Sequence, residues 1–190
     1  PSPFTGYDEN LDVGPINDVS AFYNKPAAFS DGSQTLVLYV GSNNNLYGVY
    51  ADGSGHTAIS ERGDIFSIAL SPDGRYFAFT TDDASDNHIY VGDLSAGTTT
   101  AYELVSATTE HPGDSSLLNT IYYADSLAFD FTSSKLVFDA LNCVSTPDSP
   151  CSASDASSGY RYWSIGILDL NDETFFYPFP NQNPDYDLAY

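Results

Sequence analysis

Aromatic residues and one arginine are concentrated in and next to two segments, 105–124 and 142–162, that interrupt a regular pattern of short apolar runs. Aromatic rings can stack on a sugar or a peptide segment, while arginine and aspartate can hydrogen-bond to it. An alternative is that the rings only hold the long segments in place. The predicted ligand-binding residues are Tyr122, Tyr123, Tyr160, Arg161, Tyr162 and Trp163, with His111 and Asp114 beside them.

A short acidic segment, residues 82–87, has enough oxygen ligands to suggest Ca²⁺, through Asp82, Asp83 and Asp86. It does not follow the EF-hand pattern, because Ala84 stands where a ligand is required and no glycine occupies the sixth position. We therefore expect a solvated hairpin loop and no cofactor, with Ca²⁺ at these three carboxylates as the weaker alternative.

Catalytic residues are not indicated by any motif in the sequence. No Gly-x-Ser-x-Gly turn is present. His56, His88 and His111 are scattered and lack the HExxH spacing of a zinc site. The chain has 26 acidic residues, so pairs of carboxylates are abundant and none is distinguished by its spacing. We expect that the chain is not an enzyme by itself.

The two cysteines, Cys143 and Cys151, flank a segment rich in proline, serine and aspartate. Their spacing does not fit a CxxC redox or zinc motif. A disulfide that closes this small loop is predicted, and such a bond indicates an oxidising compartment. The expected location is therefore secreted, periplasmic or at the cell surface.

The net charge of −21 excludes several partners. An acidic surface repels the phosphates of nucleic acids and disfavours anionic membrane surfaces. No segment approaches the length of apolar sequence that a membrane span needs, so membrane insertion is not expected.

A repeat of three short strands organises the sequence. The clearest copy contains a β-rich run, the turn Ser71-Pro72-Asp73-Gly74, a second run at 75–80 and a third at 88–97. Proline presets φ, aspartate hydrogen-bonds to the backbone and glycine allows a positive φ, so these four residues predict a tight turn. Related copies occupy residues 26–53 and 126–170.

These residues resemble the TolB-like, WD-repeat-related β-propellers, whose blades carry a Ser-Pro-Asp-Gly turn followed by an Ile-Tyr-Val-x-Asp-Leu strand. The resemblance implies an all-β fold made of propeller blades, each with four antiparallel strands. The expected blades cover residues 18–60, 64–104 and 125–178, and a further blade begins at 186–190. Together they form one propeller segment of about three blades.

Three blades do not close a ring, because propellers have about four to eight. The ring is therefore expected to be incomplete, as a fragment of a larger propeller or as a subunit, and neighbouring blades or subunits are needed to complete the fold. In a propeller both long insertions would extend loops at one end of the blades, where they should be neighbours and form the binding face.

The resemblance is specific for the fold and leaves three functions open. The leading hypothesis is a non-catalytic extracellular or envelope module that binds a protein or a glycan. The alternatives are a substrate-gating propeller of a hydrolase and a structural subunit of a surface assembly.

Overall fold

The computed structural model describes residues 25–83, 86–104, 108–111, 114–149, 151 and 160–176. Within these residues the chain forms thirteen β-strands and no α-helix. The strands make three antiparallel sheets, which confirms the predicted all-β class. In the described part of the chain, no helix has the length and apolar character needed to cross a membrane.

The first two sheets are four-stranded meanders in which each strand pairs with the next. Blade 1 consists of β1 (Ala27–Ser30), β2 (Thr35–Val40), β3 (Leu46–Tyr50) and β4 (Thr57–Ser60). Blade 2 consists of β5 (Ile65–Leu70), β6 (Tyr76–Thr81), β7 (His88–Asp93) and β8 (Thr98–Glu103). The predicted start of a further blade at 186–190 lies outside the described residues.

The third sheet, blade 3, has longer strands and a fifth one at its edge. It consists of β9 (Thr109–His111), β10 (Asp114–Phe129), β11 (Lys135–Ser145), β12 (Tyr160–Asp169) and β13 (Thr174–Phe176). The spatial order is β13-β12-β11-β10-β9, so β10 to β13 repeat the four-stranded meander and β9 is an addition.

The turn between the first two strands of each meander is built around an aspartate. Its carboxylate accepts hydrogen bonds from backbone N–H groups that the tight turn would otherwise leave without a partner. The donors are Ser33 and Gln34 to Asp31, Arg75 to Asp73, and Ser134 and Lys135 to Asp130. The predicted turn at Ser71–Gly74 is therefore confirmed, and the same chemistry operates in the two copies whose sequences differ.

Each of these turns also contains one residue in the left-handed region. Gly32 has φ 89° and Gly74 has φ 71°, as a glycine readily allows. In blade 3 the position is taken by Ser133, with φ 59°. The loss of glycine from that copy therefore did not change the backbone path.

The apolar core lies between the sheets, because each blade buries a side against its neighbour. On β6, Phe77 and Phe79 face blade 1 while Ala78 faces blade 3, since successive side chains of a strand point to opposite sides. The first interface joins Leu38 and Leu46 to Ile65, Ile68, Phe77 and Phe79. The second joins Ala69, Ala78, Ile89, Val91 and Leu104 to Ile121, Ala124, Leu127, Leu136, Phe138, Ala140 and Leu168.

Gly74 provides a test of the turn and of the contact between blades 1 and 2. A Cβ atom at Gly74 would overlap the ring of Phe29, whereas a Cβ atom at Gly32, in the corresponding turn, would have no heavy atom within 4 Å. Both glycines have positive φ, so an alanine at either site costs about 1 kcal/mol. We expect Gly74→Ala to lower the free energy of unfolding by clearly more than Gly32→Ala, and Gly74→Val by more still.

Urea unfolding of the three variants measures the difference. Phe29→Ala should reduce the additional loss caused by Gly74→Ala, because it removes the overlapping ring. Equal effects of the two alanine substitutions would contradict the packing of Phe29 against the turn.

The hydrogen bonds that Asp31 accepts should make its contribution to stability sensitive to acid. The backbone N–H of Gln34, together with the hydroxyl and N–H of Ser33, lowers the pKa of Asp31 from 3.8 to about 2. A carboxyl whose pKa is lower in the folded state stabilises the fold above the unfolded pKa, and this contribution is lost as the pH falls through the folded pKa. The melting temperature of Asp31→Ala should be below that of the wild type at pH 7. The gap should narrow between about pH 4 and pH 2, and a gap independent of pH would contradict this role.

Candidate functional site

Both long insertions are part of blade 3 and extend its sheet beyond the ends of the other blades. Leu118 pairs with Ser145, and Val144 pairs with Tyr160, so β10, β11 and β12 continue side by side. We call the extended part of these strands, residues 118–123, 141–145 and 160–163, the outgrowth. The prediction that the insertions are neighbours is confirmed. The expectation that they are loops is wrong for residues 118–124, 142–145 and 160–162, because these parts pair with each other as strands.

One side of the outgrowth carries four of the predicted binding residues. The ring of Trp163 meets that of Tyr123 edge-on at 6.5 Å between centroids. The guanidinium of Arg161 lies over the ring of Tyr122 at 5.1 Å. Tyr122 stands at a β-bulge, because the pairing with β11 passes from Ile121 directly to Tyr123. Because of the bulge, Tyr122 and Tyr123 both contact side chains of β12, Tyr122 that of Arg161 and Tyr123 that of Trp163.

The opposite side of the outgrowth holds Tyr162, so the predicted residues share one end of the blade but not one side of the sheet. Its hydroxyl donates to the side-chain oxygen of Asn119 at 3.2 Å. Asn119 donates to Asn142, which donates to the hydroxyl of Ser164 at 2.6 Å. Both asparagines are fully buried. Tyr160 belongs to β12, but its side chain lies outside what the structure describes.

His111, which was expected beside the binding residues, is buried in β9 and only 5% exposed. The pairing of β9 with β10 takes it out of the solvent. Asp114 remains exposed, and it accepts hydrogen bonds from the N–H and hydroxyl of Ser116. These bonds lower the pKa of Asp114. Sequence reasoning could not find the burial of His111, because the pairing depends on the conformation of the whole insertion.

The predicted disulfide between Cys143 and Cys151 is present, with 6.3 Å between the Cα atoms. Cys143 lies in β11 and is fully buried, so the bond begins inside the sheet rather than in a polar loop. It ties the end of β11 to the segment that leads towards β12.

The acidic segment 82–87 is placed beside an arginine. Asp86 accepts a hydrogen bond from Arg62 at 2.6 Å and from the hydroxyl of Tyr90, and it contacts Nδ1 of His88 at 2.8 Å. Arg62 also lies over the ring of Tyr90 and pairs with Asp64, so it joins blades 1 and 2. Ca²⁺ at Asp82, Asp83 and Asp86 stays a prediction. To bind the ion, Asp86 would have to give up its ion pair with Arg62.

Among the residues that the structure describes, no group of three or more His, Cys, Asp or Glu side chains could hold a metal ion. Burial and the nearby charge of Asp139 both disfavour the ionised form of Asp125 and raise its pKa. The two carboxylates are opposite each other on β10 and β11. No sequence motif marks this pair.

A groove of about 340 Å³ lies at the other end of the blades, between the turns of blades 2 and 3. Burial raises the pKa of Tyr102, and the negative charge of Glu173 adds to this effect. Sequence reasoning missed the groove, because its walls come from two blades. Hydroxyl, carboxylate and amide groups with two rings form much of its lining, including Asp73, Tyr76, Asp93, Thr98, Tyr102 and Asn171.

Several solved structures share this arrangement of sheets. Oligogalacturonate lyase from Vibrio parahaemolyticus superposes with a TM-score of 0.51 over 82% of the chain, at 14% identity. The chain folds as part of a β-propeller. Acylaminoacyl peptidase from Pyrococcus horikoshii has a TM-score of 0.49 over 80% of the chain at 15% identity. The β-propeller domain of the Trilobed protease from Pyrococcus furiosus, which has an open velcro topology, has a TM-score of 0.40 over 82% at 12% identity.

The chain spans 38%, 24% and 57% of these three structures, so it is similar to a part of each. No family model and no curated protein matches the sequence. At such identities the similarity concerns the fold alone. The finer assignment to TolB-like or WD-related propellers stays a prediction.

The disulfide of the propeller segment can be tested directly. Closing a loop with a sequence separation of 8 residues stabilises the fold by about 2.5 kcal/mol through chain entropy. We expect reductant to lower the free energy of unfolding by about this amount, and to have no effect on the variant with both cysteines replaced by serine. Two thiols that react with iodoacetamide in denatured, unreduced protein would contradict the bond.

Proposed function

We propose that this propeller segment is a non-catalytic module that binds a protein partner through the outgrowth. The observation that supports this most directly is Trp163, whose side chain is 48% exposed although it is the only tryptophan of the chain. Tryptophan, tyrosine and arginine contribute most of the binding energy in many protein interfaces. Trp163, Tyr123 and Arg161 bring all three residue types to one side of the sheet.

The outgrowth is well suited to binding because its strands are ordered before a partner arrives. Contacts with Tyr123 and Tyr122 hold Trp163 and Arg161, and the buried asparagines fix the pairing of the strands beneath them. Side chains that are already ordered lose less entropy on association, which favours affinity.

The charge of the chain favours a basic partner. A net charge of −21 produces a negative potential around the outgrowth, and a positively charged surface would be attracted to it. Such attraction raises the association rate and weakens as salt screens it. The disulfide supports an extracellular or envelope location, where this bond persists.

The groove between blades 2 and 3 favours a glycan as the second candidate ligand. Tyr76 and Tyr102 could stack on a sugar ring, and Thr98 and Asn171 could hydrogen-bond to its hydroxyls. The acidic side chains beside them would disfavour an anionic sugar. Binding there would use the end of the blades opposite to the outgrowth.

The experiment compares variants at the two ends in the same assays. The chain is used to capture proteins from the extracellular fraction of its source and, in parallel, to probe a glycan array. Trp163→Ala should weaken binding of a captured protein at least about tenfold without a change in melting temperature. Phe131→Ala is the matched control, because Phe131 is 90% exposed and lies in the turn between β10 and β11.

Salt and a groove variant distinguish the candidates. Affinity for a basic protein partner should fall as salt concentration rises. Equal losses from Trp163→Ala and Phe131→Ala would contradict binding at the outgrowth. Glycan binding that Tyr102→Ala abolishes and Trp163→Ala leaves intact would assign the function to the groove.

A further inference from the structure

Equivalent positions of the three blades can be identified from one backbone hydrogen bond that recurs in each. It closes the ladder between the second and third strands of the meander, from Ala51 to Thr35, from Leu94 to Arg75 and from Leu170 to Ser134. Counting along both strands from this bond gives four sets of equivalent residues. The sets are Leu38, Ala78 and Val137; Leu46, Ile89 and Ile165; Val37, Phe77 and Leu136; and Tyr39, Phe79 and Phe138.

The first two sets lie on the side of each blade that faces the following blade. Leu46 is fully buried in the interface with blade 2, and Ile89 is fully buried in the interface with blade 3. The equivalent Ile165 of blade 3 is 38% exposed. Val137 is also partly exposed, whereas Leu38 and Ala78 are fully buried. The side of blade 3 that points away from blade 2 thus has apolar residues at these interface positions without their burial. It also carries the exposed carboxylate of Asp139, which lies opposite Ile165 on β11, where blade 2 has the buried Thr80.

This side of blade 3 is apolar over several neighbouring residues. Ile167 follows Ile165 on the same side of β12, and Phe176, 40% exposed, is its partner on β13. Isolated apolar side chains on a surface need no explanation, but a continuous set of them indicates an interaction site. We call this set, with Val137, the trailing side.

Blade 1 is incompletely buried on its opposite side, the one that would face a preceding blade. The last two sets of equivalent residues face the preceding blade, where Phe79 and Phe138 are 2% and 1% exposed. The equivalent Tyr39 is partly exposed, and so is Val37, whose equivalents Phe77 and Leu136 are buried. Tyr39 stacks on Tyr47, and the exposed His56 extends the stack. We call this side of blade 1 the leading side.

We propose that two copies of this chain associate head to tail, with the leading side of one on the trailing side of the other. Val37 and Tyr39 would then cover Val137 and Ile165, as Phe77 and Phe79 of blade 2 cover Leu38 and Leu46 of blade 1. We infer that the covering surface belongs to a second copy, because the leading side of blade 1 carries the residues that the trailing side of blade 3 lacks as a cover.

The same association closes the ring. The three described blades of each copy together give six, within the four to eight that propellers contain. The interface joins two different surfaces, and in a ring of two copies it occurs twice, so no leading or trailing side remains exposed. Trp163 precedes Ile165 by two residues on the same side of β12, so the second copy would lie next to the outgrowth. The inference itself is argued from residues of the blades and not from partner binding at the outgrowth.

Charge affects this association in the opposite sense from the binding of a basic partner. Each copy carries a net charge of −21, so the copies repel each other at low salt. Added salt screens the repulsion and should strengthen the dimer, whereas it should weaken binding at the outgrowth. The two proposals can therefore fail independently.

The test begins with the mass of the full chain in solution. Light scattering and sedimentation should give a dimer whose dissociation constant falls as salt concentration rises. Ile165→Asp on the trailing side and Val37→Asp on the leading side should each give a folded monomer, as judged by circular dichroism. Phe131→Asp, at an exposed position on neither side, should leave the dimer intact.

Mixing the two monomeric variants identifies the geometry. In a mixed pair, the natural trailing side of the Val37→Asp copy can still meet the natural leading side of the Ile165→Asp copy. One interface is then restored, and a heterodimer weaker than the wild-type dimer should form. A wild-type chain that stays monomeric at its highest soluble concentration would overturn the proposal. So would larger open oligomers, or a dimer that only one of the two substitutions disrupts.

Discussion

A four-stranded sheet has two sides, and in this all-β segment a blade buries both by lying between two other blades. Blade 2 has this position, with Phe77 and Phe79 packed on blade 1 and Ala78 packed against blade 3. The large rings and the small alanine alternate along one strand, so the two sides of the same blade need different neighbours. Most of the apolar burial therefore comes from pairs of blades. The two end blades each keep one side that is less buried among the described residues.

Local hydrogen bonds to aspartates set the geometry of the blades. Two of the few basic side chains of the chain, Arg75 and Lys135, take part in them. The chain has only five Lys and Arg residues against 26 acids. Arg75 pairs with Asp93 and Lys135 with Asp169. The two aspartates occupy the same place in blades 2 and 3, whereas Lys135 stands one position further along its strand than Arg75. Both aspartates also accept a backbone N–H of the turn that follows. Hydrogen bonds and the neighbouring cations lower the pKa of each, which favours the ionised form at neutral pH.

Sequence reasoning succeeded where the structure depends on local chemistry. The turn at Ser71–Gly74 follows from the properties of its own residues, and the pairing of Cys143 with Cys151 follows from the cysteine count. It failed for the insertions, because their pairing as strands depends on bulges and on contacts between distant segments. His111 was misplaced for the same reason. The groove near Tyr102 was missed because two blades form it, and no single segment shows it.

The buried asparagines explain how long, bulged strands keep one register. A shift of one residue would move every side chain to the other side of the sheet. Asn119 and Asn142 are fully buried and hydrogen-bonded to each other, to Tyr162 and to Ser164. A shift would bury these amides without partners, at a cost of about 1–3 kcal/mol for each lost group. Since Leu141 pairs with both Tyr123 and Trp163, the register that the amides select also brings those two rings together.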